Sequence, residues 1–212
     1  MQKIPSGIDT ESKMRKEEFL LALKNAPVIA AAKDEAGLNT CLLSPCDVVV
    51  VLFGNILDIA DITERITETG RIAIVHLDLT DGLSASPSAV DYIQNRTRAA
   101  GIISTKSVII KRARQVGLIA IQRFFLLDSL ALSNISKQIH QNNPDFIELI
   151  PGAMPKIISE VTSSLTDVPV ITGGLIRDTQ DVVNALNSGA IAVSVTNSRL
   201  IELNKTFSEI RN

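Results

Sequence analysis

Short runs dominated by Val, Ile and Ala punctuate this chain at residues 27–32, 47–53, 72–79, 100–104, 118–121, 146–150, 169–172 and 191–195. They are largely continuous in their apolar character, as expected of strands buried on both faces. Between them apolar positions recur at three and four residues. Ile56, Ile59, Ile62 and Ile66 do so, as do Val182, Val183 and Leu186, which places each set on one helix face. Three helical stretches close on a glycine, at Gly70, Gly117 and Gly189, and a strand follows at once. A glycine just past a helix takes the left-handed conformation that ends it. Eight strands alternating with helices predict an α/β fold, a closed (β/α)8 TIM-type barrel rather than an open doubly wound sheet. The repeat, near two dozen residues, is short for such a barrel and demands short helices. A further helix at about 14–25 precedes the first strand, and the barrel runs from about 27 to 210. No shift in composition marks a second domain, so 1–212 reads as one.

Composition narrows the class. With 45% hydrophobic and 21% charged residues in 212, the chain is expected to bury a substantial core. The opening segment MQKIPSGIDTESK lacks the apolar stretch of a signal peptide, and no apolar run approaches membrane-spanning length. A cytoplasmic protein without a membrane partner is the expectation. Cys41 and Cys46 have no second pair to complete a metal site and read as reduced thiols. A net charge of −2 argues against a basic nucleic-acid binder overall. The charge is uneven, however. Residues 96–127 contain no Asp or Glu, yet hold Arg96, Arg98, Lys106, Lys111, Arg112, Arg114 and Arg123. Such a segment is a solvated helix face or a local anion surface.

In barrels of this type the chemistry gathers where the strands end. The last two strand ends, PVITGGLIRD and IAVSVTNSRL, stop on small hydrogen-bonding residues just before a helix. Gly173 and Gly174 allow close backbone approach, and Ser194, Thr196 and Asn197 offer side-chain donors and a cap. Two such turns on consecutive units are expected to hold a phosphate-sized anion. The other ends contribute His76 and Asp78, taken as sharing one face of the third strand, then Lys106 after the fourth, Arg123 at the end of the fifth and Glu148 in the sixth. Arginine and lysine supply charge-assisted donors, and carboxylates accept from hydroxyls. A phosphate with vicinal hydroxyls suits that set.

Each residue also has a plainer reading. His76 fits a barrel-interior histidine and Asp78 a helix cap. Glu148, inside the apolar run FIELI, needs a partner, and Arg123 would make a structural ion pair with it. Arg112 and Arg114 read equally as helix-surface charges. Phe124 and Phe125 after Arg123 are the one aromatic–basic pairing, and core packing explains them as well. A TIM-barrel enzyme acting on a small phosphorylated polyol or sugar, whether isomerase, aldolase or phosphodiesterase, would use His76, Asp78 and Glu148. Against it, no lysine lies within a strand, and the other histidine, His140, falls in a polar helix end.

The strings VHLDLTDGL (75–83), GIISTK (101–106), IQRFFLLDS (121–129), PDFIELIPG (144–152), ITGGLI (171–176) and GAIAVSVTN (189–197) together resemble the glycerol uptake operon antiterminator family, over about 28–200. The resemblance implies a barrel that binds glycerol 3-phosphate and then leader mRNA of glycerol-utilisation genes, preventing premature termination. It implies a regulator rather than an enzyme, with no cofactor or metal and with a homodimer left open. On this reading Gly173, Gly174, Ser194, Thr196 and Asn197 hold the phosphate. His76, Asp78, Lys106, Arg123 and Glu148 surround the glycerol end. Lys111, Arg112 and Arg114 on the basic helix are the RNA candidates. One departure is visible: Val195-Thr196 and Ile201 stand where the family often has a hydroxyl pair and a Trp, and this chain has no Trp. Thr196 keeps a hydroxyl for the phosphate. One Tyr and six Phe leave few rings to stack on bases, so RNA binding follows from the resemblance, with the basic segment in support.

Overall fold

A computed structural model describes residues 7–83, 86–164 and 168–211. Eight parallel strands close into a barrel in chain order: β1 (Val28–Ala32), β2 (Val48–Val51), β3 (Ile72–His76), β4 (Gly101–Ser104), β5 (Ile119–Phe125), β6 (Phe146–Ile150), β7 (Val170–Gly173) and β8 (Ala192–Val195). β8 returns to pair with β1, so no sheet edge remains. The crossover helices are α2 (Glu35–Leu43), α3 (Ile59–Glu68), α4 (Pro87–Arg96), α5 (Ser107–Val116), α6 (Ser129–Asn142), α7 (Pro155–Ser164) and α8 (Thr179–Asn187). α1 (Gly7–Asn25) precedes the barrel, and the single turn α9 (Ser198–Ile201) and α10 (Leu203–Arg211) follow it.

Local signals explain the boundaries. Asp34, Asp128 and Asp178 cap α2, α6 and α8, each carboxylate accepting from a backbone N–H three residues on. Gly70, Gly117 and Gly189 all have positive φ, at 78°, 80° and 96°, as their position past a helix requires. Two expectations need correction. β3 stops at His76, and Leu77–Leu79 forms a 3-10 turn, so Asp78 does not share a strand face with His76. β5 runs on to Phe125, which places Arg123 within the strand rather than at its end.

Strand residues alternate between two cores. Val49, Ala73, Val75, Ile102, Ala120 and Val193 face outward against the helices. Ile29, Val50, Ile74, Ile103, Ile121, Phe146, Ile171 and Ala192 fill the barrel. The N-terminal opening is closed by α1, whose Phe19, Ala22 and Leu23 join that interior cluster. The Phe19 ring meets Phe146 edge-on at 4.9 Å. With one end stoppered by apolar side chains, the opposite mouth is the end available for chemistry.

Candidate functional site

The alternation that fills the barrel also builds the site. Two residues beyond Ile74, Ile121, Phe146, Ile171 and Ala192 stand His76, Arg123, Glu148, Gly173 and Ser194. The period of two therefore turns them toward the same interior, one layer nearer the mouth. An apolar barrel thus ends in a polar layer. Above it lies a cavity of about 190 Å³ lined by Arg123, Glu148, Gly174, Ser194 and Thr196, with Leu52, Leu175 and Ile176 among its apolar walls.

Arg123 and Glu148 are register partners on adjacent strands, and the guanidinium Nε donates to Glu148 Oε2 at 2.6 Å. Their side chains are 12% and 2% exposed, so the carboxylate is held out of water and depends on this partner. The ion pair expected from the sequence is present, and it fixes the arginine at the cavity wall.

Gly174 and Leu175 bend the chain out of β7 with φ of 71° and 58°. A leucine in the left-handed region costs of order 1–3 kcal/mol, and strain of this kind gathers at binding sites. No hydrogen bond among the described residues takes the backbone N–H groups of Gly174, Leu175 and Ile176, or those of Thr196 and Asn197 after β8. The two turns therefore present open donors beside the Ser194 and Thr196 hydroxyls. Gly173 packs tightly, since a Cβ there would lie 3.1 Å from the Ser194 carbonyl oxygen and 3.4 Å from Glu148 Oε1. Asn197 caps α9, its Oδ1 accepting from the Arg199 N–H at 3.1 Å.

His76 is 2% exposed, and neither ring nitrogen has a hydrogen-bond partner among the described residues. Burial, and then the positive charge of Arg123, lower its pKa to about 4 against the opposing pull of Asp78. It is a neutral imidazole with two unused polar atoms. Asp78 is the reverse case. Its carboxylate accepts from Ser104 Oγ at 2.7 Å, Thr105 N at 2.8 Å and Thr105 Oγ1 at 2.9 Å. Burial alone would raise its pKa, but those bonds outweigh burial and the net shift is downward. Asp78 clasps the turn after β4. Lys106 lies beyond that turn, exposed just ahead of α5, and does not line the cavity.

The basic helix looks different once its neighbours are in place. Arg112 donates from Nε to Asp91 at 2.8 Å, and Arg114 pairs with the buried Asp145, which also accepts from the Ala120 N–H. Sequence reasoning missed both acidic partners, which come from outside residues 96–127. Lys111 keeps no ion-pair partner among the described residues. Phe124 is buried and Phe125 is half exposed. Cys41 and Cys46 are free, buried thiols, and burial, with Cys46 beside it, pushes the Cys41 thiol up to about 11. Among the described residues no group of three or more His, Cys, Asp or Glu side chains is placed to hold a metal.

A family model for glycerol-3-phosphate responsive antiterminators matches residues 28–201, the span of the whole barrel. This chain belongs to that family. A curated relative is the uncharacterized protein YgcP of Escherichia coli, 43% identical over 187 residues, which cover 88% of this chain and 97% of that one. The glycerol uptake operon antiterminator regulatory protein of Listeria monocytogenes is 33% identical with a TM-score of 0.78, covering 82% of this chain and 93% of its own. An antiterminator-related protein from Thermotoga maritima is 27% identical with a TM-score of 0.74, covering 82% and 97%. Orotidine 5′-phosphate decarboxylase from Pyrococcus horikoshii, at 17% identity and a TM-score of 0.62, shares the fold alone. No helix among the described residues is long and apolar enough to cross a membrane.

Proposed function

We propose that this protein is a cytoplasmic antiterminator that binds glycerol 3-phosphate at the barrel mouth and, when occupied, binds leader mRNA of glycerol-utilisation genes. The observation that carries the ligand is the pair of turns after β7 and β8, with their open N–H groups and the Ser194 and Thr196 hydroxyls beside Arg123. An anion of phosphate size takes up such donors without needing a counter-ion. Gly173, Gly174, Ser194, Thr196 and Asn197 form the phosphate end. At the glycerol end Glu148 accepts from a hydroxyl, and the neutral His76 ring supplies a donor or an acceptor. Asp78 and Lys106 flank that end, Asp78 by holding the β4 turn and Lys106 as a charge at the rim.

The same geometry favours a sensor over an enzyme. Glu148 is bound to Arg123 and Asp78 is occupied by three donors, so both mouth carboxylates act as hydrogen-bond acceptors. His76 is neutral and has no protonated or carboxylate partner hydrogen-bonded to it.

Calorimetric melting tests this reading. Glycerol 3-phosphate at 100 times its Kd adds about 2.7 kcal/mol, a rise in Tm of about 5–11 °C for a chain of this size. Glycerol, lacking the charge, leaves Tm unchanged, and phosphorus NMR shows the ligand intact after prolonged incubation with and without magnesium. An equal shift with glycerol removes the phosphate assignment, and multiple turnovers move the protein to the enzyme class.

A further inference from the structure

A second concentration of positive charge lies under the barrel, at the end opposite the mouth. Between α1, the ends of α3 and α4 and the turn into β4 runs a polar groove of about 750 Å³, against 190 Å³ for the mouth cavity. Four arginines line it, Arg15, Arg71, Arg96 and Arg98, against two carboxylates, Glu18 and Glu64. Even with Arg15 left out of the count, Arg71, Arg96 and Arg98 outnumber Glu18 and Glu64, on a chain whose formal charge is −2. Arg96 and Arg98 are exposed and have no ion-pair partner among the described residues. Arg71 donates to the carbonyl oxygens of Cys46 at 3.0 Å and Ser44 at 2.9 Å, so its placement is fixed, and no carboxylate among the described residues pairs with it. On α5, by contrast, Arg112 and Arg114 are neutralised by Asp91 and Asp145.

We propose that this groove is the surface that holds the phosphodiester backbone of a single-stranded RNA, with Arg96 and Arg98 as its phosphate contacts and Arg71 as a fixed charge at its wall. The proposal rests on the RNA half of the antiterminator reading and gives it a location. A channel this size exceeds what a lone phosphate needs, and guanidiniums grip phosphate oxygens through paired N–H groups. Its lining has no aromatic ring, so it grips backbone and not bases.

The location places RNA and ligand at opposite ends of the barrel, joined by α3 and α4. At the mouth, Tyr92 of α4 donates to the Ile56 carbonyl in the loop leading to α3 at 2.7 Å. At the groove, the Arg98 N–H donates to Thr63 Oγ1 of α3 at 3.2 Å. One bond thus joins α4 to the loop before α3, and the other joins the segment after α4 to α3 itself.

The test uses the full chain saturated with glycerol 3-phosphate and a fluorescein-labelled leader RNA, followed by anisotropy over a range of KCl concentrations. Removing two cations that each neutralise one RNA phosphate should make the log–log salt slope shallower by about 1.4, and weaken binding about 25-fold at 0.1 M salt relative to 1 M. R96A/R98A should show both changes, R96K/R98K should restore most of the slope, and Lys111→Ala should stay below the slope change of about 0.7 and the roughly fivefold weakening of a single phosphate contact. The melting shift with glycerol 3-phosphate should match wild type in every variant, which shows that the barrel is intact. Unchanged RNA affinity and slope in R96A/R98A, with wild type binding RNA, overturns the groove while leaving the antiterminator reading in place. A weakened affinity with an unchanged slope overturns it as well. Failure of the wild type to bind RNA removes both.

Discussion

Replacing His76 by leucine separates a residue kept for binding from one kept for packing. The imidazole is 2% exposed, and both nitrogens lack partners. An unsatisfied buried polar group costs about 1–3 kcal/mol, and leucine of similar bulk removes that cost without breaking a hydrogen bond. The unliganded variant should therefore be more stable than wild type at pH 7, by about that amount. The pH dependence should change too. The folded-state pKa of about 4 lies below the ordinary 6.5, so on acidification the unfolded chain takes up the proton first. Stability from the neutral ring is complete above about pH 6.5 and is lost as pH falls toward about 4. By pH 5 that loss amounts to about 2 kcal/mol, or roughly 4–8 °C in Tm. His76→Leu should lose that much less between pH 7 and pH 5. Denaturant melts at both pH values read the stability terms, and a glycerol 3-phosphate titration at pH 7 should show weakened binding. A variant that is less stable at pH 7 yet binds the ligand as tightly as wild type would refute the reasoning and make His76 a packing residue.

Three further outcomes follow from the mouth geometry. Arg123→Met should destabilise by about 3–5 kcal/mol by leaving Glu148 buried without its partner, and R123M/E148L should recover much of that stability without recovering ligand binding, both read by denaturant titration. Gly174→Val should abolish the ligand-induced rise in Tm, because it forces a β-branched residue to φ 71° with its Cβ 3.0 Å from Ile150 Cγ2; the unliganded fold should survive a backbone cost of about 1–2 kcal/mol. Asp78→Asn should keep the barrel folded while loosening the turn at Ser104 and Thr105, seen as faster amide exchange at Thr105 than in wild type.

The barrel was legible because its signals are local. Continuous apolar strands and the glycines at 70, 117 and 189 set the alternation, and the observed strands fall on the expected runs. The Arg123–Glu148 pair was legible for a different reason: a carboxylate inside FIELI cannot stay charged without a partner. What escaped depends on geometry that strings do not carry. The end of β3 at His76 is set by a 3-10 turn, which moves Asp78 from the strand face to a clasp on the next turn. The pairing of Arg112 and Arg114 comes from carboxylates 21 and 31 residues away, brought in by helix and strand packing. The basic stripe therefore shrank on folding, while Arg96 and Arg98 have no ion-pair partner among the described residues, beside a groove that no sequence pattern announces. The unpartnered nitrogens of His76 likewise follow only from what surrounds the ring.

The central claim is that glycerol 3-phosphate at the mouth controls RNA binding by this chain. Its most direct test is the affinity of the wild-type protein for leader RNA, measured at fixed salt with and without saturating glycerol 3-phosphate. A coupling of about 1–3 kcal/mol predicts that the ligand tightens RNA binding roughly five- to 150-fold, and that RNA tightens ligand binding by the same factor. Equal RNA affinity in the two conditions, or no RNA binding in either, contradicts the claim.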